Sequence, residues 1–271
     1  MNAQPSILPA PVSSNALTIP PEALPDVTHL VTEDDTPVDN IFSEKQQRLL
    51  TDALYGGWKP GIPFIALANV GVFFAIKQPP LVPDMLLSLK VTMPAEVWSK
   101  SNRSYFLWEY GKPPDVVIEV VSNREGGEAD EKLERYAQIG VNYYVIFDPE
   151  RHLSDAPLRL FKRYDTGYVE TLERYLPNVG LGLTLWEGRF EDLTSTWLRW
   201  CDAERRLIPT GAELAETERL RAEEAQRQAD NERQRAEEAQ RQTDSERQRA
   251  EELQRQLERL AARLRESGLE P

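Results

Sequence analysis

The sequence predicts an α/β protein with a mixed β-sheet core flanked by helices, followed by a long C-terminal helix. Two observations support this prediction. Between residues 43 and 172, segments with the period of a strand alternate with segments with the period of a helix. Beyond Gly211, a charged sequence repeats every 14 residues, which is two heptads of a helix. Alternating strands and helices are typical of a sheet with helices packed on its faces.

Composition divides the 271 residues into an irregular acidic segment over 1–39, a globular domain over 40–208 and a charged helical tail over 209–271. The formal charge is −13, but residues 41–205 carry 23 acidic and 19 basic side chains, so most of the excess lies in the two ends. Such a chain is not expected to coat nucleic acid through a basic surface. An enzyme that acts on a polyanion through a local basic patch and metal ions stays open.

The first half of the globular domain is predicted to contain a helix followed by strands. Ser43 to Leu54 carries a helical apolar stripe, with Ser43 as the N-cap and Gln46 at the third helical position. Three apolar runs after this helix predict strands at 64–69, 70–76 and 81–89.

The second half continues the alternation. It is predicted to contain a strand over 115–121, a polar loop over 124–130, a helix from about 129 to 139, and a strand over 141–148. Gly140 is expected to end the helix. Two alternating runs, 158–164 and 168–172, flank Asp165-Thr166-Gly167 and predict a hairpin.

The strand at 115–121 contains the most informative residue of the chain, Glu119. Its even-numbered residues, which are Val and Ile, should point to one face of the sheet. Glu119 should point to the other face, between Val117 and Val121. Burying a lone carboxylate is so unfavourable that it requires a cation, a metal or a proton. The sequence therefore predicts that a cation, a metal ion or a proton accompanies the Glu119 carboxylate.

Two further residues can complete a site around Glu119. Asp84 stands at the mouth of an apolar run, and Lys132 lies on the helix after the Glu119 strand, one turn from Tyr136. Two carboxylates on neighbouring strands can hold a divalent metal, most naturally Mg²⁺, with Mn²⁺ also suited. A nearby lysine can orient an attacking water or stabilise developing negative charge. Asp115 lies about 13 Å along the strand from Glu119, so we interpret it as a strand-entry residue.

Each of these residues also has an ordinary structural interpretation. Asp84 can be a turn or strand-entry residue, and Lys132 can be an exposed helical lysine. Glu119 can face solvent on an incompletely covered sheet. The three together favour a site, because an ordinary account must explain all of them at once.

Several motifs resemble the Uma2 family, also called DUF820, whose members are restriction-endonuclease-like proteins of the PD-(D/E)XK nuclease superfamily. The motifs are Val82-Pro83-Asp84, the strand from Pro114 to Ser122, the helix from Glu131 to Val141, the strand from Tyr144 to Pro149, and the later segments 176–181 and 198–202. The resemblance covers about residues 40–210.

The resemblance implies a metal-dependent nuclease fold, with Asp84 and Glu119 at the two acidic metal-binding positions. The lysine that usually stands two residues after the second acid is Val121 here. The family shows this departure generally, and Lys132 on the following helix looks like the migrated replacement. Glu44, on the first helix, is the candidate for a further acidic residue.

The tail places mostly small apolar residues at one heptad core position and mixes alanine, glutamate and leucine at the other. Such a seam is weak before Leu253, because alanine buries little area and a core glutamate opposes association. A solvated single helix with Glu–Arg pairs and a coiled coil held by the leucine end are both compatible with this pattern. The coiled coil predicts a homo-oligomer or a partner protein docked on this helix.

The leading hypothesis is a Mg²⁺-dependent endonuclease with DNA as its substrate. The alternative is a catalytically silent nuclease-like module that serves binding or assembly through its C-terminal helix. A cytoplasmic protein without membrane contact is expected, because signal-peptide and membrane-span patterns are absent from the sequence. The single cysteine, Cys201, fits a reducing compartment and a packing role. His29 and His152 are too isolated for a histidine metal site.

Overall fold

The fold is described from a computed structural model, which places residues 26–27, 40–122, 131–165 and 167–266. The chain divides into two compact units, Met1–Gly211 and Ala212–Pro271. Most of the predicted irregular segment at 1–39 and the predicted loop at 124–130 lie outside the described residues.

The described elements follow one another in a mixed order. They are α1 (Ile41–Gly57), β1 (Phe64–Ala68), β2 (Val72–Phe73), β3 (Met85–Leu89), β4 (Tyr105–Phe106), α2 (Leu107–Tyr110), β5 (Val116–Val120), α3 (Glu131–Ile139), β6 (Tyr143–Phe147), β7 (Leu158–Tyr164), β8 (Gly167–Thr171), β9 (Tyr175–Leu176), β10 (Leu181–Phe190), β11 (Leu193–Cys201) and α4 (Gly211–Glu266). A short 3₁₀ turn, Lys100–Asn102, precedes β4.

The main sheet has six strands in the order β1-β3-β5-β6-β7-β8. Strands β5 and β6 run parallel, and the other neighbouring pairs are antiparallel. A parallel pair requires a crossover connection, and α3 lies within the segment that joins β5 to β6. The predicted mixed sheet flanked by helices and the long C-terminal helix are confirmed.

The central strands β3, β5 and β6 are buried on both faces, and β5 separates the two hydrophobic clusters. Val116, Ile118 and Val120 pack with Leu50 and other residues of α1, whereas Val117 packs with Tyr136 of α3 on the opposite face. The predicted alternation along this strand is therefore confirmed. Glu119 belongs by parity to the α3 face.

A second sheet of three strands, in the order β11-β10-β9, packs against α1 and was not predicted as strands from the sequence. Gln46 joins the two elements, because its side-chain amide donates to the Leu198 carbonyl at 2.8 Å and accepts from the Leu198 N–H at 2.9 Å. Trp200 donates its indole N–H to the Leu50 carbonyl at 3.1 Å, and Phe42 stacks on Trp197. Buried tryptophans thus anchor this sheet to the first helix.

The start of the first helix differs from the prediction. Asn40 is the N-cap and accepts from the Ser43 N–H at 2.9 Å, so Ser43 is already helical. The helix therefore begins three residues earlier than predicted, and the Asn40 side chain satisfies one of the N–H groups that the first turn leaves unpaired. Gln46 has no capping role, since its amide is used by Leu198.

Three strand boundaries also differ from the prediction. The run 70–76 forms strand structure only at Val72–Phe73 among the described residues, and the run 81–89 becomes a strand at Met85. Pro83, which has no N–H to donate, lies in the part that stays outside the ladder. Leu81 makes an isolated bridge with Val72 instead.

Other predicted elements are confirmed. The hairpin of β7 and β8 has the register Tyr164↔Gly167 around its turn. Helix α3 ends at Ile139, and Gly140 follows with a φ of +93°, the conformation that favours glycine. The predicted start of this helix, at residue 129, lies outside the described residues.

The described residues of the second unit all belong to α4, a helix of 56 residues whose first residue is Gly211. The side chains over 212–265 are exposed. Glu–Arg pairs one turn apart, such as Arg233–Glu237 at 3.0 Å and Arg247–Glu251 at 3.2 Å, lie along it. None of the described helices is both long and apolar enough to span a bilayer.

The double hydrogen bond of Gln46 predicts a large stability effect. Gln46→Ala should lower the free energy of unfolding by about 2–4 kcal/mol, because it leaves a buried N–H and a buried carbonyl unpaired. Urea denaturation of the full chain measures this. The control is Arg48→Ala on the exposed side of α1, which should cost less than about 1 kcal/mol. Equal losses in the two variants would contradict this role for Gln46.

Candidate active site

Glu119 lies in the centre of the main sheet with 1% of its surface exposed. Two side chains of α3 bind its two carboxylate oxygens. Lys132 Nζ lies 3.0 Å from Oε2, and the Tyr136 hydroxyl donates to Oε1 at 3.1 Å. The partner that a buried carboxylate requires is thus a cation together with a neutral donor.

The spacing of Lys132 and Tyr136 explains how one short helix supplies both groups. Residues four apart lie on the same side of a helix, and this side of α3 faces β5. Tyr136 is fully buried, whereas the Lys132 side chain is 28% exposed. The lysine therefore contacts Glu119 from the solvent edge of the site.

Asp84 immediately precedes β3, the neighbour of β5 in the sheet. The register pairs Met85 with Ile118, so one further step along the antiparallel pair brings Asp84 opposite Glu119. The Val120 N–H donates to Asp84 Oδ2 at 2.6 Å, and Gln47 Nε2 donates to Oδ1 at 2.7 Å. Asp84 is 9% exposed, so both carboxylates of the predicted pair are buried and hydrogen-bonded.

Gln47 and Asn69 form a second layer behind Asp84, which sequence reasoning missed. Asn69 Nδ2 donates to Gln47 Oε1 at 3.0 Å, which fixes the amide of Gln47 with its NH₂ group toward Asp84. The Asn69 N–H also donates to the Asp84 carbonyl at 3.2 Å. Asn69 has a φ of +52°, a conformation that asparagine adopts more readily than most residues. A glutamine on a helix carries no local signal for such a contact.

Burial raises the pKa of Tyr136 well above its ordinary value. The negative charge of Glu119, the neighbouring Tyr144, the hydrogen bond to Glu119 and the charge of Asp84 raise this pKa further. The Tyr136 phenol therefore stays protonated and remains a donor to Glu119 at any working pH. Both carboxylates act electrostatically on this one phenol.

The donor set fits a hard divalent cation. Asp84 and Glu119 supply carboxylate oxygens, which Mg²⁺ prefers, and each such oxygen can accept more than one partner. The described residues contain no group of three or more His, Cys, Asp and Glu side chains placed to hold a metal. Mg²⁺ commonly needs one or two carboxylates from the protein, because water and substrate phosphates supply its other ligands.

Other residues considered from the sequence lie elsewhere. Glu44 pairs with Arg48 at 2.9 Å on the exposed side of α1, so the contact from this helix to Asp84 comes from Gln47. Asp115 accepts from the Leu89 N–H at 2.7 Å at the start of β5, in agreement with a strand-entry role. Cys201 is buried and its pKa is raised, chiefly by burial, which disfavours the reactive thiolate.

The chain belongs to the Uma2 family: it matches the family described as "Putative restriction endonuclease" over residues 33–172. The resemblance seen in the sequence motifs is confirmed. Among solved structures, the chain is similar to that of "a putative nuclease belonging to DUF820 from Anabaena variabilis ATCC 29413". The identity is 15%, the match covers 51% of this chain and 71% of that chain, and the TM-score is 0.36. No curated protein matches the chain.

The bond between Tyr136 and Glu119 predicts a measurable coupling. Tyr136→Phe should lower the free energy of unfolding by about 1–3 kcal/mol, because it removes a donor to a buried carboxylate. In a double-mutant cycle with Glu119→Gln, the two changes should be coupled by about 1 kcal/mol or more. Tyr164→Phe on exposed β7 is the matched control and should change stability by less than about 0.5 kcal/mol. If the changes in the free energy of unfolding are strictly additive, the Tyr136 hydroxyl does not stabilise Glu119.

Proposed function

We propose that this protein is a Mg²⁺-dependent endonuclease that hydrolyses phosphodiester bonds of DNA. The observation that carries the proposal is the pair of buried carboxylates, Asp84 and Glu119, brought together from neighbouring strands with Lys132 beside one of them. Membership of the family described as "Putative restriction endonuclease" supports a nuclease-like role. Mn²⁺ is a second suitable ion, because it accepts the same oxygen ligands.

In this proposal Asp84 and Glu119 hold the metal ion. A bound Mg²⁺ would supply Lewis-acid chemistry there, that is, polarisation of a phosphoryl oxygen and a lower pKa for a bound water. The protein's contribution is to fix the two carboxylates before substrate arrives. Gln47 and the Val120 N–H fix Asp84, and Tyr136 fixes Glu119. Such preorganisation lets the site act without rearranging its own dipoles during the reaction.

Lys132 would stabilise the negative charge that develops on the phosphate or orient the attacking water. Its ammonium group lies next to Glu119 and at the solvent edge, which is where a phosphodiester would enter. An ammonium group carries three donors, so one lysine can contact a carboxylate and a phosphate oxygen together. Lys132 would thus take the role of the strand lysine. Val121, which stands at that lysine's place in the sequence, is apolar and buried in the cluster on the α3 side of the sheet.

A second candidate function is a nuclease-like module that binds or assembles without cutting. One observation favours it: each of the four carboxylate oxygens of Asp84 and Glu119 accepts a hydrogen bond from the protein itself. A polar network that is satisfied internally can stabilise a core without a ligand. Measurements of metal binding and of DNA cleavage distinguish the two functions, because only the endonuclease requires both.

The proposed site predicts the loss of cleavage in three variants. Supercoiled plasmid and single-stranded DNA would be incubated with Mg²⁺ or Mn²⁺ and the wild-type chain, Asp84→Ala, Glu119→Gln or Lys132→Ala. Cutting should require the metal, and each variant should cut at least about 100-fold more slowly, because each loses a group that acts on the reacting phosphate.

Glu44→Gln is the matched control for Glu119→Gln, since it removes an acid of α1 that lies in an exposed ion pair. This control should cut at the wild-type rate. Cleavage retained by folded Glu119→Gln would refute the assignment of the site. A folded wild-type chain that neither cuts nor binds metal would favour the binding module.

A further inference from the structure

Helix α4 carries a stripe of exposed leucines near its C-terminal end. Leu253, Leu257 and Leu260 are 62%, 61% and 57% exposed, and Leu264 continues the same stripe. The spacing of four, three and four residues is that of alternating heptad core positions. When a second helix covers large apolar side chains at this spacing, their burial from water stabilises the pair of helices.

The stripe continues a heptad phase that runs through most of the helix. The first core position holds Ala222, Ala229, Ala236, Thr243, Ala250, Leu257 and Leu264, and the second holds Ala225, Glu232, Ala239, Glu246, Leu253 and Leu260. Glutamate at two of these core positions opposes pairing in the first half of the seam. Association must therefore depend on the leucine end.

The positions that flank this seam alternate between arginine and glutamine. In a parallel pair of helices without stagger, the residue that precedes the first core position of one chain contacts a residue of the other chain that is five places later in the sequence. Five such contacts then join an arginine to a glutamine: Arg221 with Gln226, Gln228 with Arg233, Arg235 with Gln240, Gln242 with Arg247, and Arg249 with Gln254.

A stagger of one heptad would remove this complementarity. It would bring Arg249 of one chain against Arg247 of the other and leave glutamines against glutamines. It would also leave one leucine layer against Glu246. The 14-residue repeat thus fits a partner with the same repeat in the same register, and the chain that carries that repeat is a second copy of this protein.

We propose that α4 pairs with α4 of a second copy as a parallel, unstaggered, two-stranded coiled coil held by residues 250–264. The polar flanks restrict the apolar surface to the two core positions, which is the narrow seam of a two-stranded coil. The seam has few apolar layers, so the dimer dissociates on dilution. This inference does not depend on the proposed nuclease activity.

The first test is the mass of the full chain by sedimentation equilibrium between about 1 and 100 µM. The wild-type chain should shift from monomer toward dimer across this range. Leu257→Glu should stay monomeric, because it places a charge in the seam. Leu257 is exposed within one chain, so this variant does not disturb the fold of the monomer.

Ala262→Glu introduces the same charge on the outer side of the helix and should dimerise as the wild type does. A wild-type chain that stays monomeric over the whole range, or equal dimerisation of Leu257→Glu and wild type, would overturn the proposal. Assembly beyond a dimer would overturn its two-stranded form.

The second test addresses direction and register. Ala250→Cys should form a disulfide between two copies on mild oxidation, because an unstaggered parallel pair brings residue 250 of each chain together. Gln248→Cys, on the outer side of the helix, should form much less. Cys201 is buried and does not compete. No cross-link of Ala250→Cys would contradict the parallel arrangement.

Exchanging the arginine and the glutamine of one flanking pair tests the contacts beside the seam. Gln254→Arg should weaken dimerisation by about two- to fivefold, because it sets two arginines against each other at two symmetric contacts. Adding Arg249→Gln should restore it, since the pair is then glutamine against arginine again. Independent effects of the two substitutions would overturn the proposed register.

Discussion

The carboxylate of Glu119, buried in the middle of the main sheet, is the constraint on which the rest of the site depends. Leaving such a charge unpaired would cost several kcal/mol, more than a small domain can easily lose. The crossover helix α3 between the two parallel strands supplies the partners of this carboxylate: Lys132 Nζ lies 3.0 Å from Oε2, and the Tyr136 hydroxyl lies 3.1 Å from Oε1. The parallel pair thus has a chemical consequence, because it is the crossover that brings α3 over β5. The neighbouring antiparallel strand then adds Asp84.

The two carboxylates are held by different elements, and this division gives the site its shape. Helix α3 holds Glu119 from one face of the sheet, while Gln47 of α1 and the backbone of β5 hold Asp84. Asn69, at the end of β1, sets the direction of the Gln47 amide. Groups from α1, α3 and β5 therefore hold the two carboxylates, and a metal ion bound there would meet ligands that are already oriented.

The sequence predicts the centre of this arrangement better than its surroundings. Glu119 conflicts with its own strand, and such a conflict is visible without a structure; Lys132 follows from helical spacing. Gln47 could not be predicted, because its contact to Asp84 spans 37 residues and glutamine is ordinary on a helix. The hairpin of β10 and β11 was missed for a different reason. Its two-residue turn, Glu191-Asp192, has both φ values positive, at 43° and 68°, and lacks the Asn-Gly or Asp-Gly sequence that marks such turns.

The decisive measurement is the binding of Mn²⁺, monitored by the loss of its free-ion electron paramagnetic resonance signal. It asks whether Asp84 and Glu119 together hold a divalent ion, without requiring the correct DNA substrate. The wild-type chain and Glu44→Gln should bind a single ion with equal affinity. Asp84→Asn and Glu119→Gln should each bind it about tenfold or more weakly. Equal binding by all four proteins, or no binding by the folded wild-type chain, would show that Asp84 and Glu119 do not form a metal site.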